Sequence, residues 1–501
     1  MGAFERVANG VDSVIGLFSP VRQLRRMSAR ELLKEQKKRF AAGDMDNGWS
    51  PAGGEKDINQ LISQKQQRVS QRVKQLVRDF PFFARAVSVR QDLVVGTGIK
   101  LQSRVRRNSE PLRIINKENE DFFKQWEDIA DSSGVHHFSE LCRLAKKSEM
   151  EDGEYLFIKR EIHNSKRIVP FSLQLIEPSR LSVIGARVKK GNIISQGIEF
   201  EPKTGQRVAY HIENEGYGKP VRIPAEYVIH GFKPIAPGQI RGISPLASGV
   251  VVADYLHDLI ESTLDTTRKA SKYLGFVTTP DISGFQKGKT TTRDGKKIEN
   301  IESTILEYLN PGEKVEFADS NMPGTSHDSL ILLILRMLSV STETPFEMLT
   351  ANYSGLSYSN HKGSRADMMR GIRSDQQRMI KNLHSPVYKE IIRWGVLTGK
   401  LKRPGFFETP EIWLDHAWIP PGLESTDNLR DSKGNSESVK NGLRSPQQIF
   451  KESGQDMEEV LDDLSEFYRL AEEKGVPIEI MKSSTSIQNN PAALGAGEER
   501  E

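Results

Sequence analysis

Between Gly153 and Ile229 the hydrophobic pattern repeats every second residue, whereas on either side it repeats every three to four. A strand-period block inside helix-period flanks rules out a plain helical bundle and a plain barrel. It requires an α+β chain, mostly helical, with one embedded β-rich unit. Short strands are expected at Tyr155 to Lys159, Phe171 to Ile176, Gly197 to Phe200, Val208 to Ile212 and Tyr227 to Ile229, with turn residues between them. Upstream, Val73, Leu76, Val77 and Phe80 share a helical face that Pro81 interrupts. A second helix carries Ala84, Val87 and Leu93 and stops at Gly96 and Gly98, and further helices are expected near Asp121 to Trp126 and Phe138 to Met150.

Downstream, Ile243-Ser244-Pro245 has the form of a helix start, serine as cap and proline in the first turn. That helix is expected to run to Leu274, about 29 residues or ~43 Å at helical rise. Residues 276–325 are polar and turn-rich, Ser329 to Met348 is again helical and apolar, and Thr350 to His361 is a glycine- and serine-rich interruption. A long helix is expected from Arg365 to Leu397. A strand-like segment with Trp413 and Trp418 follows, then a Pro-Pro break and a last helical region ending near Gly475. The first 66 residues read as a basic arm, and residues 483–501 as disordered.

Charge narrows the function classes. Lys and Arg number 71 against 67 Asp and Glu, a net +4, which excludes a histone-like polycation. Its distribution is polarised. Residues 22–39 hold Arg22, Arg25, Arg26, Arg30, Lys34, Lys37, Lys38 and Arg39 against Glu31 and Glu35, while residues 452–473 are strongly acidic. Cys142 is the single cysteine, so no intrachain disulfide or cysteine-based metal cage can form, and a reducing compartment is expected. The longest apolar run, Ile331 to Leu335, is far too short to span a bilayer. Glu5, Arg6 and Asp12 interrupt any signal-peptide core. No membrane partner is expected.

Motifs for chemistry are weak. Gly284-Phe-Gln-Lys-Gly288-Lys289-Thr290 is one residue short of a phosphate-binding loop and leads into a turn instead of a helix. His136 and His137 are adjacent, so their side chains diverge on a regular element, and they read as surface residues. No Gly-x-Ser-x-Gly elbow is present. No catalytic residue, metal or cofactor is expected. On the helix after Pro245, Val252, Leu256, Leu259, Ile260 and Leu264 form one face, and Asp254, Asp258, Glu261 and Asp265 recur at 4, 3, 4 on another. On an isolated helix such a stripe is a solvated face. Repeated around an axis it becomes an acidic wall that repels phosphate. The segment 351–361 has small residues for mobility and Tyr353, Tyr358, Asn360 and His361, with Lys362 next to it, for touching a polyanion, or it is an ordinary surface loop.

Several blocks, in order, resemble the lambda-type family of phage portal proteins. They are Leu76-Val-Arg-Asp-Phe-Pro-Phe, Leu93-Val-Val-Gly-Thr-Gly-Ile-Lys-Leu-Gln-Ser103, Gly153-Glu-Tyr-Leu, Leu175-Ile-Glu-Pro-Ser-Arg-Leu181 and Gly205-Gln-Arg-Val-Ala-Tyr-His-Ile212. Pro237-Gly-Gln-Ile-Arg-Gly-Ile-Ser-Pro-Leu246, Thr344-Pro-Phe-Glu-Met-Leu, Tyr353-Ser-Gly-Leu-Ser-Tyr-Ser-Asn360 and Asn441-Gly-Leu-Arg-Ser-Pro continue the series. The resemblance covers roughly residues 40–475. Ser179 departs from it, standing where the family more often has aspartate.

The resemblance implies a portal-type architecture, a ring, usually dodecameric, at one vertex of a phage head. Residues 1–66 would be a basic, partly disordered arm, 67–244 a wing of helices plus the β-rich unit, 245–274 a stem helix, 275–325 a clip and 326–349 a second stem helix. Residues 350–361 would be a tunnel loop, 362–420 a long wing helix and return strand, 421–480 crown helices and 481–501 a disordered tail. Tyr353, Ser354, Gly355, Leu356, Ser357, Tyr358, Ser359, Asn360, His361 and Lys362 would face DNA, with Asp254, Asp258, Glu261 and Asp265 lining the channel. Lys287, Lys289, Arg293, Lys296 and Lys297 would dock a motor. Implied partners are other copies of the chain, double-stranded DNA, the terminase large subunit, a major capsid or scaffold protein and head–tail adaptors. The setting is the virion, and the host cytoplasm during assembly. The rivals are an ATP-driven packaging enzyme and a smaller head–tail adaptor ring.

Overall fold

A computed structural model describes residues 57–107, 110–213, 219–270, 276–278, 291–293, 296–298, 314–316, 325–355, 357–422 and 427–475. The chain divides between Gln60 and Leu61, and the packing below belongs to the larger, C-terminal unit.

Helices α1 (Ile58–Asp79) and α2 (Pro81–Val94) meet at Phe80, whose extended backbone is forced by Pro81 in the first turn of α2. Strand β1 (Lys100–Ser103) and the small hairpin β2 (Arg106–Arg107) and β3 (Glu110–Pro111) lead to α3 (Arg113–Glu127) and α4 (Phe138–Asp152). Helix α3 is much longer than the expected Asp121 to Trp126, because only its second half carries the buried aromatics Phe122, Phe123 and Trp126. His137 is a helix cap. Its ring accepts from the Ser139 amide, while Glu140 reaches back to the His137 amide.

Helix α4 ends at Gly153 in the left-handed region (φ +89°), and a Cβ there would collide with the Ile243 backbone, so glycine is required twice over. The β-rich unit follows as β4 (Glu154–Glu161), β5 (Phe171–Ile176), β6 (Ile193–Ser195), β7 (Ile198–Phe200), β8 (Arg207–Ile212), β9 (Val221–Pro224) and β10 (Val228–Phe232). These form two antiparallel sheets, ordered β10-β4-β5 and β6-β7-β8-β9. Leu156, Ile158 and Ile176 of the first sheet are buried with Ile198, Phe200, Tyr210 and Ile212 of the second. Tyr155 and Phe157 point the other way, into a helical core. Strand β4 is therefore apolar on both faces, which is why its sequence runs Tyr-Leu-Phe-Ile without alternation.

Helix α5 (Gly249–Ala270) starts later than expected at Ser244-Pro245. Ser244 Oγ donates to the Met150 carbonyl (2.5 Å) and accepts from the Leu246 amide (3.1 Å), pinning residues 245–248 as turns against α4. Backbone alone is described for β11 (Phe276–Thr278), β12 (Thr291–Arg293), β13 (Lys296–Ile298) and β14 (Lys314–Glu316). Strand β11 pairs with β14, and β12 with β13. Helix α6 (Thr325–Ser341) packs against α5, with Ala253, Leu256 and Leu338 in one buried cluster.

The single helix expected from Ser329 to Met348 is broken. Pro345 lacks an amide and disfavours helix at Thr344, Glu343 turns left-handed (φ +50°), and α7 (Phe346–Thr350) follows. Helix α8 (Tyr358–Met379) begins seven residues before the expected Arg365 and passes through one π-turn, Ile380–His384, into α9 (Ser385–Leu397). Pro386, which cannot donate into the ladder, accounts for the widened turn. Trp413 lies in the short α10 (Pro410–Trp413), not in a strand. Trp418 lies in β15 (His416–Ile419), which pairs with β1. Helices α11 (Asn428–Lys440), α12 (Pro446–Glu452) and α13 (Met457–Glu473) close the described chain. Among the described residues no helix is long and apolar enough to cross a membrane.

The largest core joins α3, α4, β4, β5, α8 and α9. His384 sits inside it, against Phe138 and Trp418. Burial holds its imidazole neutral, lowering the pKa from 6.5 to about 4. The folded state refuses a proton that the unfolded chain accepts, so stability is full above about pH 6.5 and declines as pH falls toward about 4. Roughly 3 kcal/mol is at stake at the acid end. Calorimetric melting from pH 7 to 4.5 is expected to show a shallower decline for His384→Phe than for the parent chain. Equal slopes would refute this assignment.

Candidate functional site

The start of α5 meets the end of α6, where Ser248 just before α5 donates to the Ser341 carbonyl (3.3 Å), and their shared face is apolar. Asp254, Asp258 and Glu261 are exposed on α5 away from buried Ala253 and Leu256, and Asp265 is exposed on the same stripe. The periodicity of α5 is thus as the sequence predicts, although its start is not. On α6 a second stripe stands uncovered. Leu330, Leu333, Met337 and Val340 are 45%, 53%, 51% and 79% exposed. Their 3-4-3 spacing is the a/d repeat by which one helix seats against another. Val251 and Tyr255 of α5 are exposed too.

Segment 351–357 joins α7 to α8. The interruption expected over 350–361 is shorter than that, because Thr350 closes α7 and Tyr358, Ser359, Asn360 and His361 form the first turn of α8. Ser357 caps that turn, its Oγ accepting from the Asn360 amide (3.3 Å). Ala351 ends α7 in the left-handed region, Asn352 Oδ1 accepts from the Ser354 amide (3.0 Å) and hydroxyl (2.6 Å), and Gly355 has φ +76° with open space around it. Tyr353, Ser354 and Gly355 are exposed, and Leu356 lies outside the described residues.

Lys362 does not simply reach outward. Its ammonium bonds to Asp431 of α11 at 3.0 Å and lies 5.9 Å from the Tyr358 ring centre, and the Asp431 hydrogen bond raises its pKa. Arg430 covers the same ring at 5.7 Å. The start of α8 is thereby tethered to α11.

Of the basic insert, Lys287 and Lys289 lie outside the described residues. Arg293, Lys296 and Lys297 fall on the β12–β13 hairpin, with Arg293 paired to Lys296. A strand, not a helix, follows Thr290, so the near-miss phosphate loop lacks the helix N-terminus it would need.

The sequence reading missed a chain of charges that links these parts, partly exposed at Lys233 and Glu343 and buried at Arg90, Lys146, Glu149 and Asp375. Glu343, at the break between α6 and α7, accepts from Lys233 (3.0 Å) and Arg90 of α2 (3.0 Å). Arg90 also lies 3.6 Å from Asp375 of α8, which accepts from Lys146 of α4 at 2.8 Å. Lys146 bonds to Glu149 (3.0 Å), and Arg378 bridges Glu149 and Asp375. Burial pushes the Asp375 carboxyl up, but Lys146 and Arg90 outweigh it and hold it at about 2 instead of 3.8. A second network centres on Glu154, which accepts from Arg241, His230, Gln66 and the Gly242 amide. Here too burial opposes ionisation, and Arg241 and His230 bring the carboxyl down to about 2. The available signal was charge on an apolar face, since Lys146 and Glu149 fall on the same stripe of α4 as Cys142 and Met150.

Residues 42–376 match the family described as "Phage portal protein, lambda family". The chain is 22% identical over 457 residues to the "Probable portal protein" of Halomonas phage phiHAP-1, covering 86% of each. It is 20% identical over 471 residues to "Portal protein B" of Escherichia phage lambda, covering 83% of this chain and 86% of that one. Among solved structures it is similar to a chain in the neck of an empty GTA particle, with a TM-score of 0.43 and 12% identity over 76% of this chain and 93% of that one.

Proposed function

Because the chain belongs to the lambda family of phage portal proteins, we propose that it is one subunit of a ring, dodecameric as the family resemblance implies, at one vertex of the phage head. The observation that carries the ring is the uncovered 3-4-3 stripe of α6. An apolar helix seam of this length is seldom left to solvent on a monomer. A head-to-tail contact, repeated by a closing rotation, would cover it with the flank of the next subunit.

In that ring the wing comprises residues 67–244, α5 and α6 form the stem, and 275–325 form the clip. Segment 351–357 is the tunnel loop, α8 and α9 brace it from the wing, and α11 to α13 make the crown. Duplex DNA passes through the ring during packaging and ejection. The stripe Asp254, Asp258, Glu261 and Asp265 faces the channel and keeps phosphate from settling on the wall. Tyr353 to Ser357 touch DNA transiently, with Tyr358 to His361 at the mouth of the loop, while Lys362 holds the loop's base through Asp431. The ring nucleates head assembly, and the clip cations dock the terminase large subunit. Capsid or scaffold protein meets the outer wing, and head–tail adaptors bind after packaging. The role is structural, with ATP hydrolysis left to the motor. The virion is its final place, reached from the host cytoplasm.

Negative-stain images of the purified chain should show rings with a central opening. A chain that stays a monomer under every assembly condition tried would refute the reading. Deleting residues 353–356, which spares the Ser357 cap, is expected to leave ring diameter unchanged and to remove most packaged DNA. Normal packaging would remove the loop's role. Changing the four stripe acids together to Lys should make rings retain DNA, and unchanged release would dismiss the repulsive wall.

A further inference from the structure

Strand β9 ends its sheet, and among the described residues no backbone group of Val221, Arg222 or Ile223 has a partner beyond the β8 ladder. Beside it runs a groove of about 390 Å³ that touches all four consecutive residues of the strand. Alternate side chains of a strand point to opposite faces, so a groove meeting four in a row lies along the strand's edge and not over one face. Its far wall comes from the first sheet, and Ile158, Ile176 and Ile212 give it an apolar floor continuous with the inter-sheet core.

The lining is charged with one sign. Lys159, Arg160, Arg180 and Arg222 border the groove, and among the described residues no Asp or Glu does. Arg222 is held by Glu199 and Lys159 by Glu390, whereas Arg160 is exposed and bonds to the neutral Gln174. Short length, an arginine and a closing proline are devices that keep a strand edge from pairing at random. Pro224 confines any added strand to the first three residues, and the cations select against basic or neutral ones. What remains is a selective acceptor.

We propose that the open edge of β9 docks an extended, acidic segment of a partner protein, which adds a strand to the second sheet, sets alternate apolar side chains on the isoleucine floor and sets its carboxylates against the arginine rim. The site does not depend on ring closure. An extended strand uses the backbone edge and the apolar floor together, which a phosphate backbone cannot.

The test uses the full chain and a fluorescent, end-capped Glu-Val-Glu-Ile-Glu-Val-Glu peptide followed by anisotropy. Saturable binding is expected, with Arg160→Glu weakening it at least about tenfold through like-charge repulsion. Two N-methylated versions, one for each set of alternate residues, keep every side chain. Only one set donates to the edge, so one version should lose binding and the other keep it. Hydrogen exchange at Val221 to Ile223 should slow on binding. No binding of the acidic peptide, or equal binding by both N-methylated versions, overturns the proposal. So does equal binding by the Lys-for-Glu peptide, or displacement by short duplex DNA. Equally tight binding by a peptide of residues 456–473 would give the edge to a second copy of this chain and overturn a foreign partner.

Discussion

Leu333→Asp combined with Met337→Asp is expected to yield a folded monomer where the parent chain is expected to form rings. Both side chains are about half exposed on the α6 stripe and away from Leu338, which carries the contact to α5, so the subunit's own core is untouched. Each buried side chain of this size contributes about 1.5–3 kcal/mol on leaving water, and each new carboxylate would have to be desolvated in the seam. In a ring every subunit makes the contact twice, once with each neighbour, so the penalty recurs around the circle and no arrangement of subunits avoids it. Light scattering after size exclusion reads the outcome, and circular dichroism checks that the helices persist. Rings of undiminished mass would show that the stripe is not the seam. Arg336→Ala, on the same helix, should leave the mass unchanged.

Asp375→Ala is expected to cost about 3–5 kcal/mol, the range for breaking a buried pair by removing one partner. It strips Lys146 of its 2.8 Å contact and leaves Arg90 and Arg378 short of an anion. Arg370→Ala removes a superficially similar pair with Asp367, but one that is almost wholly exposed, and should cost less than about 1 kcal/mol. Urea unfolding at fixed protein concentration separates the two. The pH dependence has a definite sign. Because the folded carboxyl sits at about 2 and the unfolded one near 3.8, its stabilisation is full above about pH 4 and is lost as pH falls toward 2. The variant should lack that part of the acid sensitivity. An Asp375→Ala chain as stable as the Arg370→Ala chain would mean the buried network is not a net support.

The β-rich unit was legible because its core strands bury alternate or continuous apolar residues, which sequence displays directly. Strands β6 and β9 were not, since Ile193 and Val221 are largely exposed and three or four residues cannot establish a period. Helix limits went astray where a tertiary bond overrode a local signal. Ser244 looks like a cap but spends its hydroxyl on the Met150 carbonyl, and Tyr358 starts a helix seven residues early because Ser357, within a glycine-rich stretch, supplies the cap. The acidic stripe was readable as a period. Which way it faces in an assembly is fixed by neighbouring copies, which no single chain encodes locally. The ion-pair chain from Lys233 to Arg378 spans residues far apart in sequence, and only folding brings them together.

The only cysteine of the chain, Cys142, is enclosed beside His384, and burial lifts its thiol pKa well above the usual value. Such a sulfur is protonated and sheltered, hence inert to maleimides. The wild-type background is therefore already a blank for site-directed labelling. A cysteine placed at Tyr353 or Gly355 would be the one reactive handle per subunit, allowing spin or fluorophore spectroscopy to ask whether the loop moves when DNA is added.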